Sequence, residues 1–238
     1  MHGTTTFSPQ ERKFPNAAAL NAALAADMAA ALEEGLAAGR GASLMVAGGR
    51  TPAPVFEALS RIELDWEDVW VTLTDERWVA PDQDGSNEGL VRHHLLRNEA
   101  SNANLVGLKN AAPDPKSGAT AAWAAVADLP RPFDFVLLGM GDDGHTASLF
   151  PHSPGLATGL DLTQPPGCIG MTGPSEPRAR LSMNLRALLD ARRIAVLIVG
   201  DSKWQTYQRA RQAGPISDMP VRALSLQQNV PVTVYWSP

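Results

Sequence analysis

The run Asp134-Phe135-Val136-Leu137-Leu138-Gly139-Met140-Gly141-Asp142-Asp143-Gly144-His145-Thr146-Ala147-Ser148-Leu149-Phe150-Pro151 decides the fold. Residues 135–138 have the length and apolar composition of a buried strand. The strand stops at Gly139, and a polar turn with three glycines, two aspartates and one histidine follows. In open α/β sheets, the loop leaving the carboxyl end of a strand is where ligands bind. His145 beside carboxylates on such a loop is a candidate acid/base. Taken alone, the turn fits a surface histidine equally well. Its weight comes from similar junctions elsewhere in the chain.

Working outward, residues 194–199 (Ile-Ala-Val-Leu-Ile-Val) show no polar alternation, as suits a parallel strand covered on both faces. Gly200-Asp201-Ser202-Lys203 leaves its end, and a helix follows to about residue 211. A lysine one turn into such a helix can reach a phosphate as a point charge. Residues 43–47 form another strand, which ends in Gly48-Gly49-Arg50-Thr51-Pro52 before a helix over 52–60. The glycines let the backbone approach a ligand, and free N–H groups at a helix start favour an anion. Residues 69–73 form a further strand, followed by Thr74-Asp75-Glu76-Arg77-Trp78-Val79. Three charges directly after an apolar strand must be paired or solvated. A structural Asp–Arg pair is the alternative there to a role in a site.

The remaining segments fit the same alternation. Leu20, Leu24, Met28, Leu32 and Leu36 recur every four residues, which predicts a helix with one packed face. Asn16 can cap it, and Gly39 and Gly41 stop it. Residues 1–13 are a polar lead-in, with an optional edge strand at 5–7. Asn87 is expected to cap a helix reaching about residue 97. His93 and His94 on that helix point about 100° apart and cannot share one metal. Further expectations are a short strand at 105–108, an Ala-rich helix over 117–128, a strand at 168–172 and a short helix at 185–189. A short helix near 220–224 and a closing strand over 230–236 complete the chain. The result is a single α/β domain spanning 1–238. It is doubly wound and Rossmann-like in a modified form, with a mostly parallel sheet and helices on both faces. Four loops, 48–52, 74–79, 139–146 and 200–203, then converge at one sheet edge.

Composition narrows the classes. Net charge is −5, with 44% hydrophobic and 19% charged residues, which suits a soluble globular protein and neither nucleic acid nor an anionic membrane as partner. One cysteine, Cys168, excludes an internal disulfide and a Cys-based zinc cage. No Gly-x-Gly-x-x-Gly follows the first strand and no P-loop occurs, so a dinucleotide cofactor is not expected. No apolar leader or spanning stretch is evident, and a cytoplasmic enzyme, monomeric or a small homo-oligomer, is expected.

The run from Gly139 to Pro151 resembles the signature of the 6-phosphogluconolactonases, within a superfamily that includes glucosamine-6-phosphate deaminase. Gly48-Gly49-Arg50-Thr51-Pro52 resembles that superfamily's phosphate turn, with Arg50 where serine is common. Asp75-Glu76-Arg77-Trp78-Val79 with Ser86-Asn87, Arg180 before 181–185, and Gly200-Asp201-Ser202-Lys203 match further motifs. The resemblance implies hydrolysis of 6-phospho-D-glucono-1,5-lactone in the oxidative pentose phosphate pathway, with no cofactor or metal. It implies His145 as acid/base with Asp143 nearby, Arg77 or a loop N–H at the oxyanion, and Asp75 orienting Arg77 or a sugar hydroxyl. Gly48, Gly49, Arg50, Thr51, Asn87, Gly144, Arg180 and Lys203 are implied to bind substrate or its phosphate. The roles of Arg77 and Arg180 are interchangeable at this level. In the deaminase, the aspartate before Gly-His and a glutamate five residues after the histidine carry the chemistry. Here Asp143 holds the first place, but Phe150 holds the second, which argues against deamination. A sugar-phosphate-binding regulatory module without turnover is the other alternative.

Overall fold

The computed structural model describes residues 9–238; the optional strand at residues 5–7 lies outside them. The elements are β1 (Gln10–Lys13), α1 (Ala17–Ala37), β2 (Ala42–Val46), α2 (Ala53–Leu59), β3 (Val69–Leu73), β4 (Asp75–Arg77), α3 (Asn87–His94), β5 (Asn104–Val106) and α4 (Pro115–Ala127). They continue with β6 (Phe135–Gly139), α5 (Leu156–Leu160), β7 (Cys168–Thr172), β8 (Ala179–Met183), α6 (Leu185–Leu188), β9 (Ile194–Val199), α7 (Asp201–Ala210), α8 (Arg222–Leu226) and β10 (Val232–Ser237).

Helix α1 forms as its spacing predicts. Asn16 accepts the Ala19 N–H at 2.9 Å, and Leu20, Leu24, Met28 and Leu32 are fully buried. Each such side chain stabilises the fold by roughly 1.5–3 kcal/mol. Seven parallel strands make the main sheet in the order β1-β10-β9-β6-β2-β3-β5. From β2 the chain steps outward to β3 and β5; from β6 it steps the other way to β9 and β10. Right-handed crossovers therefore put α1, α2 and α3 on one face and α4 and α7 on the other. In agreement, α1 packs on α2 and α2 on α3.

The two directions of winding part between β2 and β6, whose register runs Leu44↔Phe135, Met45↔Val136 and Val46↔Leu137. Ligands bind outside the carboxyl ends of the strands at such a switch point. Buried Asp134 sets this pairing. It accepts the Ser43 N–H at 2.9 Å, pairs with Arg40, and has Arg192 at 3.5 Å.

A second, antiparallel sheet, β4-β8-β7, stands beside the first and was not expected from the sequence. Its registers set Asp75 opposite Ser182 and Arg77 opposite Arg180. Strand alternation turns Asp75 and Arg77 to one face and Glu76 to the other. Other expectations need smaller corrections. The polar segment Gln10–Lys13 is an edge strand paired with β10. Ser86, not Asn87, caps α3, its Oγ accepting the Gly89 N–H at 3.0 Å. That helix ends at His94, short of residue 97. The last helix lies at Arg222–Leu226, beyond the 220–224 expected.

Candidate active site

The four loops do converge. A cavity of about 400 Å³ at the carboxyl ends of β2, β3, β6 and β9 is lined by Gly48, Gly49, Arg50, Thr51, Asp75, Arg77, Asn87, Asp142, His145 and Lys203, among others. Residues four separate junctions suggested thus share one hollow.

The His145 loop is tightly folded. Asp143 Oδ1 accepts the backbone N–H of His145 at 3.0 Å and meets its ring Nδ1 at 2.6 Å. Burial pushes the Asp143 carboxyl up, but the hydrogen bonds from His145 and its charge outweigh this and hold it below the usual range. An ionised Asp143 keeps the ring proton on Nδ1 and leaves the Nε2 lone pair as the basic position. The ring lies over Gly141, where a Cβ would come within 2.2 Å of it. Its other side packs on Phe150, with ring centroids 4.6 Å apart. From α7, the Thr206 hydroxyl donates to the Asp142 carbonyl at 3.2 Å, which ties this loop to the helix carrying Lys203.

Asn87 joins the neighbouring loops. Its Oδ1 accepts from Arg77 at 2.5 Å, and its Nδ2 donates to the Asp75 carbonyl at 2.8 Å. It lies so close to Gly48 that a Cβ there would fall 1.8 Å from Oδ1, so that position requires glycine. Gly49 sits at φ +91°, the left-handed region that favours glycine. The Gly85 carbonyl also accepts from Arg77 at 2.9 Å. Among the described residues no carboxylate lies within ion-pair distance of Arg77, Arg50 or Lys203.

Asp75 is not the partner of Arg77. Its oxygens accept from the Thr74 hydroxyl at 3.0 Å and the Ser148 hydroxyl at 2.5 Å. Asp75 therefore fastens the histidine loop to the end of β3. Gly144, unlike Asp75, does not line the cavity. Its carbonyl accepts the Val221 N–H at 2.9 Å, and Met219 packs where its Cβ would stand, so it docks the loop on the segment before α8.

Arg180 is buried opposite Arg77 in the small sheet and is not among the residues that line the cavity. Burial and the charge of Arg77 lower its pKa, while Asp75, Glu76 and Glu176 oppose them. One guanidinium nitrogen donates to the Ser175 carbonyl at 3.3 Å, and Nη1 is buried without a partner among the described residues. An unpartnered buried guanidinium is costly unless an anion meets it.

Glu76 stands out in the sequence only as one of three charges after an apolar strand, with no role of its own. It is fully buried, and its carboxylate accepts the N–H groups of Arg77, Asn87 and Glu88 at 2.7–2.8 Å. Burial pushes its pKa up to about 7, against the pull of these three donors. Its partners lie up to twelve residues downstream, beyond the reach of any local pattern.

The arrangement is a histidine–carboxylate pair and three cations with no carboxylate partner among the described residues, at the switch point of a parallel sheet: the layout of an α/β protein suited to small anionic ligands. Comparison with known proteins narrows the class. The family model for glucosamine-6-phosphate isomerases/6-phosphogluconolactonase matches residues 15–236. A 6-phosphogluconolactonase of Pseudomonas aeruginosa is 44% identical over 90% of this chain and 89% of its own. One from Rhizobium meliloti is 42% identical over 94% and 97%. The crystal structure of a 6-phosphogluconolactonase from Shewanella baltica superposes with a TM-score of 0.93 at 42% identity, covering 97% of this chain and 98% of that one. The chain belongs to the glucosamine-6-phosphate isomerase/6-phosphogluconolactonase family.

Proposed function

We propose that the chain hydrolyses 6-phospho-D-glucono-1,5-lactone to 6-phospho-D-gluconate in the oxidative pentose phosphate pathway. One observation carries the reading: His145, held by Asp143 at 2.6 Å, shares a cavity with Arg77, Lys203 and the turn at residues 48–51. Nε2 of His145 takes a proton from water as the water oxygen attacks the lactone carbonyl. Arg77 faces the tetrahedral oxyanion that forms. When the ring C–O bond breaks, His145 returns the proton to the departing oxygen, and the new carboxylic acid ionises to solvent. One positioned acid/base group typically supplies roughly 10²–10⁴ in rate. Asp143 holds the imidazole's orientation. Lys203, Arg50, Thr51 and the backbone of Gly48 and Gly49 hold the 6-phosphate, with Arg180 and its unpartnered nitrogen as the buried end of that anion site. Asn87 acts by aiming Arg77.

Phe150 argues against amino-sugar deamination. It sets an apolar ring against His145 where that chemistry uses a carboxylate. A phosphorylated substrate and product do not cross membranes unaided, which favours the cytoplasm as the setting. No described helix is long and apolar enough to cross a membrane.

The test is hydrolysis of freshly made 6-phosphogluconolactone followed by proton release, with the spontaneous rate subtracted and glucosamine 6-phosphate as control. Enzyme-dependent loss of the lactone alone supports the proposal. Turnover of the amino sugar alone overturns it. Phosphosugar binding without turnover would make the chain a regulatory module.

A further inference from the structure

Glu76 is a fully buried carboxylate to which the proposed reaction gives no task. Its Oε1 accepts the N–H of Arg77 at 2.8 Å and of Asn87 at 2.7 Å. Its Oε2 accepts the N–H of Glu88 at 2.8 Å and the Ser86 hydroxyl at 3.2 Å. Glu76 shares the capping of α3 with Ser86: the Ser86 hydroxyl takes the Gly89 N–H, and Glu76 takes those of Asn87 and Glu88 before it. What Glu76 adds is a bond between the strand that carries Arg77 and the helix residue that holds the Arg77 side chain.

We infer that Glu76 is a positioning residue for Arg77, fixing the backbones of Arg77 and Asn87 against each other so that Asn87 Oδ1 aims the guanidinium into the cavity. The inference rests on the reading of Arg77 as the cation that faces the reacting substrate. Among the described residues Arg77 has no carboxylate to orient it; Asn87 Oδ1 and the Gly85 carbonyl hold it instead. Both acceptors sit at the close of the 78–86 loop, and Glu76 clamps that close. Strand alternation turns Glu76 away from Arg77's face, so its charge never enters the cavity. Without the clamp the guanidinium keeps its chemistry but loses its aim, and a misplacement of about 1 Å can cost on the order of 10²-fold in rate.

The test is a double-mutant cycle on the full chain with Glu76→Gln and Arg77→Met. The glutamine amide points N–H donors at backbone donors and cannot reproduce the clamp. In the wild-type background, Glu76→Gln should lower kcat/KM by roughly 10–100-fold. In the Arg77→Met background it should lower it by less than about 3-fold, since no guanidinium remains to aim. Its fall in Tm, roughly 5–10 °C, should be the same in both backgrounds. Equal losses of kcat/KM in both backgrounds would overturn the inference and leave Glu76 a structural residue only. If the glutamine variant does not fold, Glu76→Asp runs the same cycle with the charge drawn back by one methylene. Calorimetric binding of 6-phosphogluconate to the same four proteins separates this inference from the proposed function. If the wild type leaves the lactone untouched, the proposed function fails. The inference then stands only if Glu76→Gln weakens product binding when Arg77 is present and not when it is absent.

Discussion

The sheet has a hollow at each end, and both measure about 400 Å³. At the amino ends of β6, β9 and β10 the lining charges are matched. Arg12 pairs with Asp27, whose carboxylate also takes the Tyr235 hydroxyl at 2.7 Å, and Arg193 grips both oxygens of Glu34 at 2.8 Å. At the carboxyl ends Arg50, Arg77 and Lys203 have no acid within ion-pair distance among the described residues: Asp75 is engaged with Thr74 and Ser148, Asp143 with His145, and Asp142 lines the hollow without pairing with any of the three. Volume does not distinguish the two hollows. Unmatched positive charge does, and an anionic substrate would supply the missing partner.

The strongest attempt to break this contrast is His145→Ala. It removes the acid/base while leaving every cation in place. We expect kcat to fall by roughly 10²–10⁴, about 3–5 kcal/mol, with KM and Tm little changed. A wild-type kcat would take catalysis away from this loop.

A second prediction concerns the charge hidden behind the carboxyl-side hollow. The folded state raises the pKa of Glu76 to about 7 from a usual 4.5, so folding favours its protonated form. That contribution to stability is fully present below about 4.5 and is lost as pH rises through about 7. The margin by which wild type exceeds Glu76→Gln in denaturant unfolding should therefore narrow between pH 5 and pH 8.5, by up to about 3 kcal/mol. A margin that widens with pH would reverse the sign.

Lys203→Ala sharpens the contrast at the phosphate. A contact made equally in ground and transition states affects binding alone, so KM should rise about 10–100-fold, near 2 kcal/mol, at constant kcat. A pure fall in kcat would move Lys203 to the oxyanion. The smallest effect belongs to the opposite hollow. Arg193→Ala breaks an exposed ion pair, and it should cost less than about 1 kcal/mol of stability and leave kcat and KM unchanged.

Much of the carboxyl-side hollow was legible from single stretches. The apolar runs of β3, β6 and β9 occur where hydrophobic pattern put them, because strands buried on both faces leave a continuous signature. Convergence of four loops followed from parallel topology alone. What the sequence hid depends on partners far along the chain. Gln10–Lys13 is polar and half-exposed and becomes a strand only through β10. Asp75–Arg77 reads as a charged turn but is a strand, since Glu76 finds backbone donors on α3 and Asp75 finds Ser148. Gly144 reads as part of a ligand loop; its real neighbours, Met219 and Val221, are some seventy-five residues away. Arg77 looked like the mate of Asp75 two residues before it, but the Thr74 and Ser148 hydroxyls take the aspartate and the Asn87 amide takes the guanidinium.

The parting of the sheet between β2 and β6 also sets a schedule for synthesis. As the chain leaves the ribosome, β2 can pair with β3 at once, but its other edge waits until β6 has been made. All five residues of that waiting strand are buried in the finished protein, so the nascent chain carries an open apolar edge through the making of three further helices. Such edges invite pairing with strangers. The seam whose carboxyl end later borders the cation-lined hollow is, during translation, an apolar edge still waiting for its neighbour.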